Sequence, residues 1–454
     1  MPYIGAGVSR FTTADGLTVS GNTEIDGGTI KLDGDYPVGT RNVALGDLAL
    51  DDGSLSGQDS TAIGSSALTA NTTGSYNVAV GSQALDANTT GLYNSSVGYN
   101  SLSANTTATH NTALGYSALA ADTTGAANTA VGSQALASCT TANNNTAVGY
   151  AALFNNTTDI GANVAIGRSA LLSNTTGYRN TAVGTYALDA NTTANANTAV
   201  GWHALSENTT GTQNTAVGYA ALDANTTGDA NTAVGYAALG VNTTGTQNAA
   251  FGLFTLDANT TGGYNTGLGH AALGANETGS NNVAVGYTAL SANTTGTQNV
   301  AVGNTALNSN TTASDNTALG HTALYANTTG TPHVAIGRNA LASNTTGNGS
   351  VAVGSHALDA ATTGDNNTAV GNYALTSLTT AGSITALGYN AGNNLTTGAD
   401  TTIVGAYAGD AITTGGQNTA IGSGALSEAT TGGGNTAVGK GALDAVTTTN
   451  NSTA

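Results

Sequence analysis

Small apolar and polar residues alternate along this chain in a motif that returns every 17 residues. In its commonest form the unit reads Asn-Thr-Ala-Val-Gly-x-x-Ala-Leu-x-x-Asn-Thr-Thr-Gly-x-x. Its first Gly runs Gly46, Gly64, Gly81, Gly98, Gly115, Gly132, Gly149, Gly167, Gly184, then every 17 residues to Gly439, which makes 24 units. Two steps are 18 residues long, through Asp51-Asp52-Gly53-Ser54-Leu55 and through Asp159-Ile160-Gly161. A fixed period of this size marks an architecture in which each unit stacks only on its neighbours. Seventeen residues are too few for two helices and a turn, whereas the Thr, Val and Gly content with two short apolar pulses fits one coil of a β-solenoid.

Within the unit, Asn-Thr-Ala-Val-Gly alternates with period two, so the residue before the Gly and the residue two earlier share one face of a strand. The first is always large and apolar (Leu45, Ile63, Val80, Leu114, Val131, Ile166, Phe251, Val438), and the second is a Thr often exchanged for Val (Val43, Val78, Val164, Val283, Val300, Val334, Val351). On size, both are expected inside the coil. The Leu four after the Gly (Leu68, Leu85, Leu119, Leu205, Leu443) is expected to anchor a second strand. The Asn of the Thr-Thr-Gly turn is expected to point inward as a ladder from coil to coil, because the same place later holds Ala361, Leu378, Ile412, Ala429 and Val446. Cys139 takes it once and reads as a buried thiol. The intervening Ala (Ala62, Ala79, Ala113, Ala130, Ala216, Ala301, Ala437) is then left facing outward. A small residue repeated there suggests close packing of another chain, and so a homo-oligomer, three-fold by expectation.

Three segments follow: residues 1–41 as an adaptor or cap with short strands, 42–446 as the solenoid, and 447–454 as a tail where the pattern runs out. Of the 454 residues only 7% are charged, with seven Lys or Arg and a formal charge of −18. Phosphate binding needs a Lys/Arg surface, so nucleic acid is not an expected partner. No apolar run approaches the ~20 residues of a membrane span, and Met1-Pro2-Tyr3-Ile4-Gly5-Ala6-Gly7-Val8 lacks the basic and apolar regions of a secretory signal.

Forms such as Asn163-Val164-Ala165-Ile166-Gly167 and Ser350-Val351-Ala352-Val353-Gly354 resemble the head repeats of trimeric autotransporter adhesins. That resemblance implies a left-handed parallel β-roll and three rolls side by side in a homotrimer. The longer unit with its Thr-Thr-Gly turn is similar to repeats in fibres of marine bacteriophages, as is the opening with Thr13-Ala14-Asp15-Gly16-Leu17-Thr18-Val19. Without an export signal or a C-terminal membrane anchor, the resemblance points to a virion tail fibre rather than a displayed autotransporter. Residues 1–41 would then join it to other tail proteins.

Chemistry is sparse. His110, His203, His270, His321, His333 and His356 fall on different coils and read as solvated side chains, with no metal-ligand cluster. Asp recurs five after the Gly at Asp86, Asp189, Asp223, Asp257, Asp359, Asp410 and Asp444, but neighbouring coils lack it, and a calcium ladder needs several converging oxygens. No nucleophile with its base is present, so neither an enzyme nor a cofactor is expected. The Asn-Thr-Thr triplets match a glycosylation sequon but are explained by the inward ladder. Trp202, Tyr219 and Tyr236 share one position on three successive coils. They would stack about 4.8 Å apart, as a stiffening ladder or as a platform for a host-surface glycan. The expected function is a rigid tail fibre reaching toward such glycans. The alternatives are a bacterial extracellular adhesin or filament subunit, and an ice-binding Thr array built on pairs such as Thr89-Thr90.

Overall fold

A computed structural model describes residues 41–157 and 161–454. The short strands expected in residues 1–40 and the inserted Asp159-Ile160 lie outside the described residues. The rest is an all-β parallel solenoid. Each coil contributes one three-residue strand, from β1 (Val43–Leu45) and β2 (Thr61–Ile63) to β24 (Thr436–Val438), and no helix occurs among the described residues. Every strand pairs in parallel with that of the next coil, forming a single 24-stranded sheet. The register does not slip: Val43 faces Thr61, Thr198 faces Thr215, and Thr419 faces Thr436.

The remainder of each coil is turns, and the second strand expected around the Leu does not form. Leu222 sits at φ 53° and Ala220 at φ 49°, left-handed values that cost a non-glycine residue roughly 1–2 kcal/mol. These bends aim backbone amides along the axis: the Ala220 N–H donates to Trp202 O at 3.0 Å and the Leu222 N–H to Ala238 O at 3.0 Å. The repeated Gly is required for two reasons. Gly115 lies at φ 139°, and a Cβ there would stand 2.6 Å from the backbone of Gly132 in the next coil.

The two strand faces are the reverse of the expected ones. The Ala in the middle of the strand, such as Ala216 and Ala301, is fully buried in all but the first coil, where Ala44 is partly so. Its neighbours point out: Leu114, Phe251 and Leu268 are 46%, 39% and 49% exposed. Thickness is the physical cause. The interior of one coil holds little more than two Ala and one Leu (Ala216, Ala221, Leu222), so bulk enters only where bulk is removed. Thr255 replaces an Ala, and its Cγ2 lies 2.5 Å from where Gly267 would carry a Cβ. Ile403 replaces another, its Cδ1 filling space beside Gly392 and Gly409. The Ala strip is therefore the inner wall and not a surface for another chain. The Leu four after the Gly is buried as expected (Leu68, Leu85, Leu119, Leu205), and partly so in the last coil at Leu443.

Two Asn ladders close the core. In the first, the Asn of the Thr-Thr-Gly turn donates from Nδ2 to Oδ1 of its counterpart one coil back, as Asn225 does to Asn208 at 2.9 Å and Asn242 to Asn225 at 2.9 Å. The second was not evident in the sequence. The Asn opening each unit accepts, on Oδ1, the backbone N–H of the next (Asn231 N to Asn214 Oδ1, 2.9 Å) and donates from Nδ2 across the coil (Asn231 to Gly245 O, 2.8 Å). Buried amides so satisfied are stabilising, whereas a single missing partner costs about 1–3 kcal/mol. Residues 447–454, read as a tail, stay in phase: Thr453 bridges Thr436 in parallel, and Ser452 N donates to Asn435 Oδ1 at 2.9 Å.

Candidate functional site

Three columns face outward side by side, because residues two apart on an extended segment share a face. They are the Thr/Val position, the large apolar position, and the first residue after the Gly. The 24 strands place Thr, Val, Ser or Ala in the first column and Val, Leu, Ile or Phe in the second, with no charged residue in either. In a chain of formal charge −18 that is a sharply segregated surface. About 10 Å wide and roughly 115 Å long at ~4.8 Å per coil, it covers on the order of 1,100 Å². Hydroxyl residues hold most of the first column, so the continuous apolar part is the second, about half that area; monomers rarely expose contiguous apolar patches larger than a few hundred Å².

The third column carries the aromatic rings. Trp202 and Tyr219 stack with centroids 4.7 Å apart, and Tyr219 and Tyr236 at 4.8 Å with planes 4° apart. The structure extends this ladder both ways. His203 lies 3.7 Å from Trp202 and 5.1 Å from Tyr186. Tyr236 meets Phe254 edge-on at 5.4 Å, and beyond it come His270 and Tyr287, 5.2 Å apart. Arg168 caps the far end over the Tyr186 ring at 5.5 Å. Tyr219 is sandwiched between its neighbours, so its faces are covered and its edge and hydroxyl point to solvent. A sugar approaching the middle of this ladder meets ring edges rather than a flat face. A shorter ladder, Tyr76, Tyr93 and His110, follows the Thr-Thr-Gly turn at 4.9 and 5.1 Å.

The histidines are not uniformly solvated. His333 stands in the second Asn column and is buried. It imitates Asn: the backbone N–H of Ser350 donates to Nδ1 at 3.2 Å, and Nε2 meets Gly347 O at 2.6 Å, as a donor in the neutral tautomer. Burial lowers its pKa below the usual 6.5. His356 is held on the surface between Asp359 (Nδ1 to Oδ2, 2.7 Å) and Arg338 (2.9 Å). The Asp column is partly covered, and burial raises Asp189 to about 6. Among the described residues, no three His, Cys, Asp or Glu side chains converge as a metal site.

The Thr pairs divide their roles. The first Thr bonds along the axis (Thr226 Oγ1 to Thr243 O, 3.1 Å), and only the second, such as Thr227, is exposed. The sequon Asn is buried with its Nδ2 shared between two acceptors, as Asn225 shows with Asn208 and Gly228. Among the described residues, no helix is long and apolar enough to cross a membrane. No family model matches the chain, and no curated protein matches it in sequence.

Proposed function

We propose that this chain is the shaft of a virion tail fibre, a rigid homotrimer whose copies pack through their outward strand faces. The observation that carries the reading is the charge-free face running along every described coil, an unbroken column of Val, Leu, Ile or Phe beside one of mostly Thr and Val. A surface on the order of 1,100 Å² exceeds the ~800 Å² that each partner contributes to a standard interface, and its ~4.8 Å period is matched by another stack of parallel strands. A second copy meets that requirement without any further ligand. The work of such an assembly is mechanical: it holds two ends apart by a fixed distance. Residues 1–41 would join it to other tail proteins, and the aromatic ladder from Tyr186 to Tyr287 is the region offered to host-surface glycan. Light scattering and negative-stain imaging of one sample test the reading. Three copies in a rod of roughly 115 Å support it, and a monomer with the strand face bare overturns it.

A further inference from the structure

Among the described residues three ionisable side chains are fully buried: Asp122, Cys139 and His333. His333 reproduces the hydrogen bonds of the Asn it replaces. Asp122 does not, and it sits in the first Asn ladder at the place where the ladder changes character. Every internal member of that ladder offers Oδ1 to the Nδ2 of the following coil. Asn105 donates to Asn88 Oδ1 at 2.8 Å in the ordinary way, yet its own Oδ1 is buried without a partner. The residue that should supply the donor is Asp122. A carboxylate has no hydrogen to give, and two acceptors would face each other inside an apolar coil.

The surroundings of Asp122 are otherwise complete. Its Oδ1 accepts the Gly125 N–H at 3.0 Å, and the Cys139 thiol of the following coil lies 3.9 Å away. Its Oδ2 accepts Asn111 Nδ2 at 3.3 Å, leaving one position on that oxygen. The groups that face it are Asn105 from the preceding coil, Cys139 from the following one, Asn111 across the coil, and the Gly125 amide three residues on in the same turn. Cys139 is the one other titratable group among them, and among the described residues no Lys or Arg stands beside it to hold a negative charge.

We infer that Asp122 is a proton-binding site: it is held as the neutral carboxylic acid, with the proton on Oδ2 donated to Asn105 Oδ1, so that the ladder passes through a residue that would otherwise break it. The energetics agree in direction, since burial pushes the Asp122 carboxyl up to about 7. Ionisation sets acceptor against acceptor and makes the coils of Asp122 and Cys139 the place where the core first loosens. The orphaned Asn156 Nδ2 on the other side of Cys139 deepens that weakness, because the thiol brings no amide oxygen to receive it.

Infrared difference spectra of the full chain against Asp122→Asn test this. The variant carries the residue the column normally holds, and so keeps the fold. At pH 6 the wild type should show a protonated-carboxyl C=O band absent from the variant, and that band should titrate away with a midpoint near 7. A difference spectrum containing only carboxylate bands at pH 6 overturns the inference. Asn105→Leu, which removes the acceptor, provides a second check. It should lower the midpoint by enough to halve the band at pH 6, and an unchanged midpoint would show that the proton is not shared with Asn105.

Discussion

Ile403 Cδ1 lies 2.7 Å from the point at which a side chain on Gly392 would begin. The two residues are on adjacent coils, and each departs from the repeat in the opposite sense: a large residue in an Ala column, a Gly in a Leu column. Gly392→Ala is expected to destabilise by about 1–3 kcal/mol through overpacking. Ile403→Ala should cost about 2–5 kcal/mol by opening a cavity. The double variant should cost less than the sum of the two. A double-mutant cycle by denaturant unfolding reads the coupling, and strict additivity would show that the two sites do not share one space.

The first Asn ladder predicts an asymmetry along the rod. Asn259→Leu leaves Asn242 Oδ1 without its donor, whereas Asn276 Nδ2 loses one acceptor and keeps Gly279 O at 2.9 Å. The orphaned oxygen, at about 1–3 kcal/mol, should loosen the coil of Asn242 more than that of Asn276. Hydrogen exchange on the flanking backbone amides reports it. Protection unchanged from the wild type on both sides would mean that the side-chain ladder adds nothing to the backbone ladder.

His333 gives a pH dependence of defined sign. Its pKa is lowered in the folded chain, so the unfolded chain binds more protons between the folded value and 6.5. Its contribution to stability is therefore complete above about 6.5 and is lost as the pH falls below it. Thermal unfolding of the wild type and His333→Asn between pH 7.5 and 5 should show the wild type losing ground on acidification. A constant difference would mean that His333 does not change protonation on unfolding.

The outward strand face predicts which substitutions separate assembly from folding. Val217→Glu with Val285→Glu places two charges on a surface that has none, without touching Ala216 or Ala284 inside. The mass by light scattering should drop toward one copy, while the β-sheet circular dichroism stays. An unchanged mass would remove this face from the interface.

Trp202, the one Trp of the chain, reports on the aromatic ladder. Tyr219→Ala removes its stacking partner, and should red-shift and broaden the Trp emission at a cost of about 0.5–1.5 kcal/mol beyond burial. An unaltered spectrum would mean that the stack is not kept in solution.

The period, the β class, the buried Leu and the first Asn ladder were all legible in the sequence, because a 17-residue register with apolar replacements of Asn admits little else. The strand faces were not. Alternation shows that Ala216 and Val217 lie on opposite sides but does not say which is inside, and size pointed the wrong way because the coil is too thin for Val. The correct signal was present in the compensating pair of Thr255 and Gly267, where a larger residue in one Ala column is matched by a missing side chain in the next. His333 was read as solvated because its column, the second Asn ladder, had not been recognised as buried. The full extent of the aromatic ladder escaped notice because Phe254 and His203 occupy the second position after the Gly and join the first-position rings only through three-dimensional contact.

The unslipping register also makes this molecule divisible. Excising residues 201–217 would join Val200 to Gly218 and leave every remaining coil with a neighbour of the kind it already has, shortening the rod by one step of ~4.8 Å. Recombination between repeats in its gene would adjust length in whole steps while the cross-section stayed constant. The solenoid is a ruler graduated in coils, and its reach can evolve without redesign of its core.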